Sequence, residues 1–321
     1  VLTVEKDNMH ANLVEEIKKD RVSGASEISR KACSVFVAFA KGVKATSGEE
    51  YFDKLLKLGI ELVLAQPHMA SVFNLANSIL YQTEELLPTL SMDELREFTK
   101  EKAEGFYHNS LNSVQKIAEN GKVLIENGSK VVTFSSSGSI LSILKAAKEE
   151  GKEFEVIVCE SRPMFEGRLL AKFLGNAEIP VTLITDAALG VFAPEAALFL
   201  VGADSISEDT FVNKVGTKYV CLLSKEHDIP LYLACERSKF ISSRWRLKPM
   251  VWGDPEQVLD SELPNVEVKN PCFEEIPLFY CQEVITNEGF LSPRDIPHCI
   301  RKTRLCEKLM EGTRGSITTM A

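Results

Sequence analysis

From about Glu5 to Asn127 the apolar residues recur at helical spacing. Ile28, Ala32, Val35, Phe36 and Phe39 share a face, and the same spacing returns in Val72, Phe73, Leu75, Ala76, Ile79 and Leu80. This half predicts a helical bundle, broken at Gly42 to Gly48, at Gln66-Pro67 and at Pro88 to Ser91. Ser91 followed by Glu94 makes a capping box, so a new helix should start at Met92. That helix, polar and charged to about Gly121, is expected to cross between the two halves of the chain.

After Gly128 the period changes. Short runs rich in β-branched residues stand at Lys130 to Phe134, Phe154 to Cys159, Val181 to Thr185, Ala197 to Val201 and Leu231 to Ala234. Helical segments are expected between them near 139–150, 166–174 and 214–227. Strands alternating with helices imply parallel pairing, because a parallel crossover needs a connection long enough to hold a helix. The fold class expected is therefore α/β: a helical N-terminal domain (1–127) followed by a Rossmann-like, mostly parallel doubly wound sheet domain that binds phosphate (128–321). Ligands of such sheets sit beyond the carboxyl ends of the strands, so the loops there are the place to look for chemistry. Ser243 to Lys269, broken by prolines and holding both tryptophans, reads as a loop-rich excursion before a last strand and helix.

Length agrees with two domains, since 321 residues is about twice the usual domain size of roughly 150. A net charge of -9 argues against broad binding to nucleic acid or anionic membranes, while leaving room for one local basic pocket. The eight cysteines show no CxxC pairing and several lie in apolar runs, which fits a reducing compartment. With no leader segment and no apolar stretch of about 20 residues, the sequence reads as cytoplasmic and unanchored.

Four strand ends carry candidate chemistry. The first runs Phe134-Ser135-Ser136-Ser137-Gly138-Ser139 straight into a helix. Its hydroxyls, its glycine and the free amides of the helix start can cradle a phosphate, or Ser137 can simply cap the helix. After the second strand, Arg162 offers a planar fork for phosphate, or pairs at the surface with Glu160 or Glu166. The third ends in Thr185-Asp186. The fourth ends in Gly202-Ala203-Asp204, followed by a polar turn and Asn213-Lys214-Val215-Gly216-Thr217 leading into a helix. Asp204 can act as a general acid or base and Lys214 can hold an anion, or the two can form an ordinary salt bridge or cap. The five histidines show no ligand spacing, so no metal is expected. With neither GxGxxG after a strand nor a P-loop, no nucleotide cofactor is expected either.

Taken together, ESRPMFEGRLLAK, PVTLITDAALG, LVGADSI, NKVGTKYVCLLSKEHDIPLYLACE and NPCFEEIPLFYCQEVITNEG resemble the ordered signatures of one superfamily. It comprises the alpha, beta and delta subunits of translation initiation factor 2B, ribose-1,5-bisphosphate isomerase and methylthioribose-1-phosphate isomerase. The match runs from about Lys130 to Gly289, and the helical half resembles the family more loosely. In the isomerases of this superfamily a cysteine after the first strand and an aspartate after the fourth move a proton or hydride between aldose and ketose phosphates. Here the resemblance puts Ser135 at the cysteine position and Asp204 at the aspartate. A thiol titrates at about 8.5, whereas a serine hydroxyl is a far poorer acid. Two arginines that the isomerases present in the helical half are also replaced, in Ser23-Gly24-Ala25 and Gln66-Pro67-His68, and Glu274 and Ile276 stand at the Asp and Thr positions of a third element.

The resemblance thus implies an initiation-factor-2B-like protein that binds a sugar phosphate or nucleotide and regulates without catalysing. The alternative is an aldose-ketose isomerase acting on a ribose 1-phosphate or ribose 1,5-bisphosphate type of substrate, with Asp204 as acid/base and Ser135 or nearby Cys159 as its partner. The residues expected to hold ligand are Ser136, Ser137, Gly138, Arg162, Asn213, Lys214 and Gly216. Expected partners are a small phosphorylated ligand, further copies of the chain in a dimer or higher homo-oligomer, and translation initiation factor 2 or related subunits. Neither membrane nor nucleic acid is expected to bind directly.

Overall fold

The structure, a computed structural model, describes residues 9–20, 23–245, 252–261 and 263–320. They fall into two compact units. One takes in residues up to Leu111, Ile241–Leu247 and the segment from Arg301 onward; the other holds Asn112–Phe240 and Lys248–Ile300.

The helical unit opens with α1 (Met9–Lys19), α2 (Ala25–Gly42), α3 (Gly48–Ala65), α4 (Ala70–Leu86) and α5 (Met92–Gly121). Its faces are those the spacing predicts. Ile28, Ala32, Val35, Phe36 and Phe39 of α2 are buried with Tyr51, Phe52, Leu55 and Leu62 of α3 and Val72, Leu75, Ala76, Ile79 and Leu80 of α4. Each fully buried aliphatic or aromatic side chain stabilises the unit by about 1.5–3 kcal/mol relative to exposure. Side chains cap the helices at two of the breaks, the second being the expected capping box. The Ser47 hydroxyl accepts from Glu50 N at the start of α3, and at α5 Glu94 Oε2 accepts from Ser91 N at 2.8 Å while Glu94 N donates to Ser91 Oγ at 3.4 Å. Residues 92–111 of α5 belong to this unit and 112–121 to the other.

The second unit is built on seven strands: β1 (Lys130–Thr133), β2 (Glu155–Cys159), β3 (Val181–Ile184), β4 (Leu198–Gly202), β7 (Leu231–Ala234), β9 (Glu283–Thr286) and β10 (Gly289–Leu291). Their order is β10-β9-β7-β4-β1-β2-β3, parallel except for β10 against β9. Residues alternate between two apolar layers. Val132, Ile157, Cys159, Phe199 and Val201 face one. Val131, Val156, Val158, Leu198 and Leu200 face the other, with Ile140, Ile143 and Leu144 of α6 (Gly138–Glu149) and Leu170 and Leu174 of α7 (Glu166–Asn176). A sheet covered on both faces is what continuous β-branched runs require. The chain fills β1, β2 and β3 toward one edge and then returns to β4 on the other side of β1. The switch point, and so the crevice for ligand, lies beyond the carboxyl ends of β1 and β4.

Three elements depart from expectation. β5 (Ser205–Ile206), β6 (Thr210–Lys214) and β8 (Phe273–Pro277) form a separate antiparallel sheet. Asn213 and Lys214 therefore close a strand instead of opening a helix, and the helix α9 (Thr217–Glu226) begins after Gly216. Such short strands leave too few residues for a period to show. A short helix, α8 (Leu189–Phe192), stands in the connection from β3 to β4. The expected excursion from Ser243 to Lys269 shows single turns at Ser243–Trp245 and Pro255–Gln257, with 246–251 and 262 outside the described residues. No helix among the described residues is long and apolar enough to cross a membrane.

After α10 (Ile296–Arg301) the chain rejoins the helical unit as α11 (Glu307–Met320), which packs on α3. Buried Asn77 fixes the entry: its Nδ2 donates to Arg304 O at 2.8 Å and its Oδ1 accepts from Cys306 N at 2.8 Å. Leu309 then completes the helical core.

Candidate functional site

The turn after β1 is clamped to the turn after β2. Ser135 adopts the left-handed region (φ 65°) and its amide donates to Ser161 Oγ at 2.7 Å; Ser161, itself at φ 63°, donates that hydroxyl to Cys159 O at 3.0 Å. A residue other than glycine held at positive φ stores backbone strain, and such positions cluster at functional sites. Asp186 fixes the second turn from β3, with Oδ1 accepting from Ser161 N and Oδ2 from Arg162 N, both at 2.7 Å. The α6 helix starts directly above. Its first internal bond runs from Leu141 N to Ser137 O, and the Ser137 side chain makes no cap bond. The opening amides of α6 thus have no intrahelical partner and lie at the positive end of the helix dipole.

β4 closes against this turn. A Cβ on Gly202 would stand 2.8 Å from Ser137 Oγ, so only glycine lets the strand end approach. Gly216 (φ +101°) comes equally close to the ring of Phe134, the residue before Ser135. Asp204 follows Gly202 by two residues. Burial pushes its carboxyl above the ordinary aspartate range, while the charges of Lys239 and Lys214 pull the other way. Lys239, buried, donates to Ala203 O at 2.9 Å. Glu236 is 2% exposed and its Oε1 has no hydrogen-bond partner among the described residues.

The structure therefore brings Ser135, Ser136, Ser137 and Gly138 to one helix start beside the β4 end that carries Asp204. The remaining candidates have other partners. Arg162 is exposed, donates its guanidinium to Gln257 O and lies 4.8 Å from the Phe165 ring centroid. The acidic residues that the sequence offers as its surface partners are taken elsewhere, Glu160 by Arg168 and Glu166 by Lys214. Asn213 is buried and donates to Thr217 Oγ1 at 3.0 Å, and that hydroxyl donates to Lys214 O at 2.6 Å. Gly216 N donates to Glu274 Oε1 at 2.7 Å, and Lys218 N to the same oxygen at 2.8 Å. Sequence reasoning missed Glu236, Lys239 and the clamp made by Ser161 and Asp186. The signal for the first two was their place just past the β7 strand end.

The thiols are unsuited to proton transfer. Burial pushes Cys159 up to about 12, with the Asp186 charge adding to it, and burial likewise pushes Cys235 up to about 12. In the helical unit, the positions where the resemblance puts arginines serve the fold: Gln66 Nε2 donates to Ile17 O at 2.7 Å, and Ser23 N donates to Asp20 Oδ1 at 2.9 Å.

A helical N-terminal region followed by a mostly parallel α/β sheet, with polar loops gathered at one switch point, defines the class of this protein. The chain belongs to the initiation factor 2 subunit family, whose model matches residues 21–293. Its relatives divide between two kinds of name. A Pyrococcus furiosus protein called a putative translation initiation factor eIF-2B subunit 2-like is 34% identical over 88% of this chain and 97% of its own length. Ribose 1,5-bisphosphate isomerase of Methanocaldococcus jannaschii is 30% identical over 90% of this chain and 93% of its own. The crystal structure of the Pyrococcus horikoshii OT3 translation initiation factor eIF-2B superposes with a TM-score of 0.75 at 31% identity, covering 89% of this chain and 98% of that one.

Proposed function

We propose that the chain is a regulatory protein of the initiation factor 2B subunit type, which binds a sugar phosphate or nucleotide beyond the ends of β1 and β4 and does not isomerise it. The observation that carries this reading is the hydroxyl of Ser135 at the place the resemblance gives to a catalytic thiol. Cys159 and Cys235 do not replace that thiol, because burial pushes both up to about 12. Phosphate is favoured by the unpartnered amides that open α6 and by the hydroxyls of Ser135, Ser136 and Ser137 around them. The same reading makes the protein a homo-oligomer of the cytoplasm, with translation initiation factor 2 or related subunits as partners.

Calorimetric titration with nucleoside monophosphates and pentose phosphates tests it. The expected result is saturable binding of at least one, with a raised melting temperature, since ligand at 100 times its dissociation constant adds about 2.7 kcal/mol. Turnover of a ribose 1-phosphate or 1,5-bisphosphate, lost in Asp204→Asn, overturns it in favour of the isomerase. The raised proton affinity of Asp204 is what favours that second reading.

A further inference from the structure

Lys214, at the end of β6, is 5% exposed, and its ammonium is within ion-pair reach of Glu166 Oε1. Glu166 opens α7, where the helix dipole favours a negative charge. The pair stands beside the clamped turns. Gly167, next to Glu166, lies so close to the end of β2 that a Cβ would collide with Cys159 O, and Gly216, two residues beyond Lys214, leans on Phe134. A second carboxylate, that of Glu274, already holds the amides of Gly216 and Lys218 at the start of α9. On this side of the crevice the cation and amides best suited to an anion are thus engaged by anions of the chain itself.

We propose that Glu166 is a specificity-determining residue of the crevice: by neutralising Lys214 it leaves an incoming phosphate only the amides and hydroxyls of residues 135–138. The inference rests on the phosphate-binding reading above. A phosphate gains the charge-assisted bond to Lys214 only by displacing the carboxylate, because two anions around one ammonium repel each other. The other oxygen of Glu166, Oε2, is buried and has no hydrogen-bond partner among the described residues. The carboxylate is therefore held by Lys214 and not by a wider network, so a neutral amide of the same size removes the charge and little else.

Ribose 5-phosphate titrated calorimetrically into wild type, Glu166→Gln and the double variant Glu166→Gln/Lys214→Met tests the role. The single variant is expected to bind roughly tenfold tighter or better, the worth of one hydrogen bond to a charged group. The double variant should return to within about twofold of wild type. Wild-type binding with no gain in Glu166→Gln overturns this inference alone, whereas no binding by any of the three overturns the phosphate reading with it. Should Glu166→Gln fail to fold, the double variant decides, because replacing a whole buried ion pair by neutral groups is often harmless to stability. Unchanged affinity there supports the inference. A loss of roughly tenfold or more overturns it, since Lys214 would then be serving the ligand in spite of Glu166.

Discussion

Asp204 shows how a single carboxyl records its surroundings. Its proton affinity is raised in the folded protein by burial, while in the unfolded chain it titrates as an ordinary aspartate at about 3.9. Between those two values the unfolded state has lost the proton that the folded state keeps, so stability falls as pH rises through that window. Below the ordinary aspartate value both states are protonated and the side chain is neutral in this respect. Asp204→Asn removes the liability. Its melting temperature should match wild type in acid and exceed it by a margin that grows as pH rises through that window and is constant above it, and melting curves across a pH series check this. Equal offsets at every pH would mean that Asp204 is not the group concerned. The residues around it were unevenly legible. Ser135 and Asp204 stand out in the sequence because each follows a recognisable strand, whereas the partnership of Glu166 with Lys214 joins residues far apart in the chain, and no local pattern announces it.

Among the elements, the glycines of α7 show how closely strand and helix approach. Gly167 sits against the last residue of β2, where a Cβ would lie 1.7 Å from Cys159 O. Backbone cannot yield there as a flexible side chain would, so Gly167→Ala should cost about 3 kcal/mol or more. Gly175, in the same helix, faces open space, and Gly175→Ala should stabilise by about 0.5–1 kcal/mol because alanine loses less freedom on folding. Urea denaturation of the two variants checks the contrast. The central strands were legible because each is a short, almost wholly buried apolar run between turn residues. β5, β6 and β8 were not. With two to five residues apiece they are too short for alternation, and the polar Asn213 and Lys214 at the end of β6 look like the lead into the following helix. Their pairing depends on contacts from β6 to β8, across the whole excursion that separates them.

For the molecule as a whole, the cysteines give a measure of closure. Cys33, Cys159, Cys221, Cys235, Cys272, Cys281 and Cys306 are buried and Cys299 is half-buried. Titration of the native protein with an aromatic disulfide reagent should therefore show one fast thiol, absent in Cys299→Ser, and all eight only in denaturant. Several fast thiols would mean that one of the units opens readily.

The route of the chain carries a further consequence. Residues 112–240 and 248–300 form the sheet unit, yet the helical core is still missing Leu309 and the bond from Cys306 N to Asn77 Oδ1 until α11 arrives. A protein emerging from the ribosome ordinarily settles its domains in the order they are made. Here the bundle begun first is sealed last, so its apolar faces wait, uncovered along one side, for the entire length of the sheet to be synthesised.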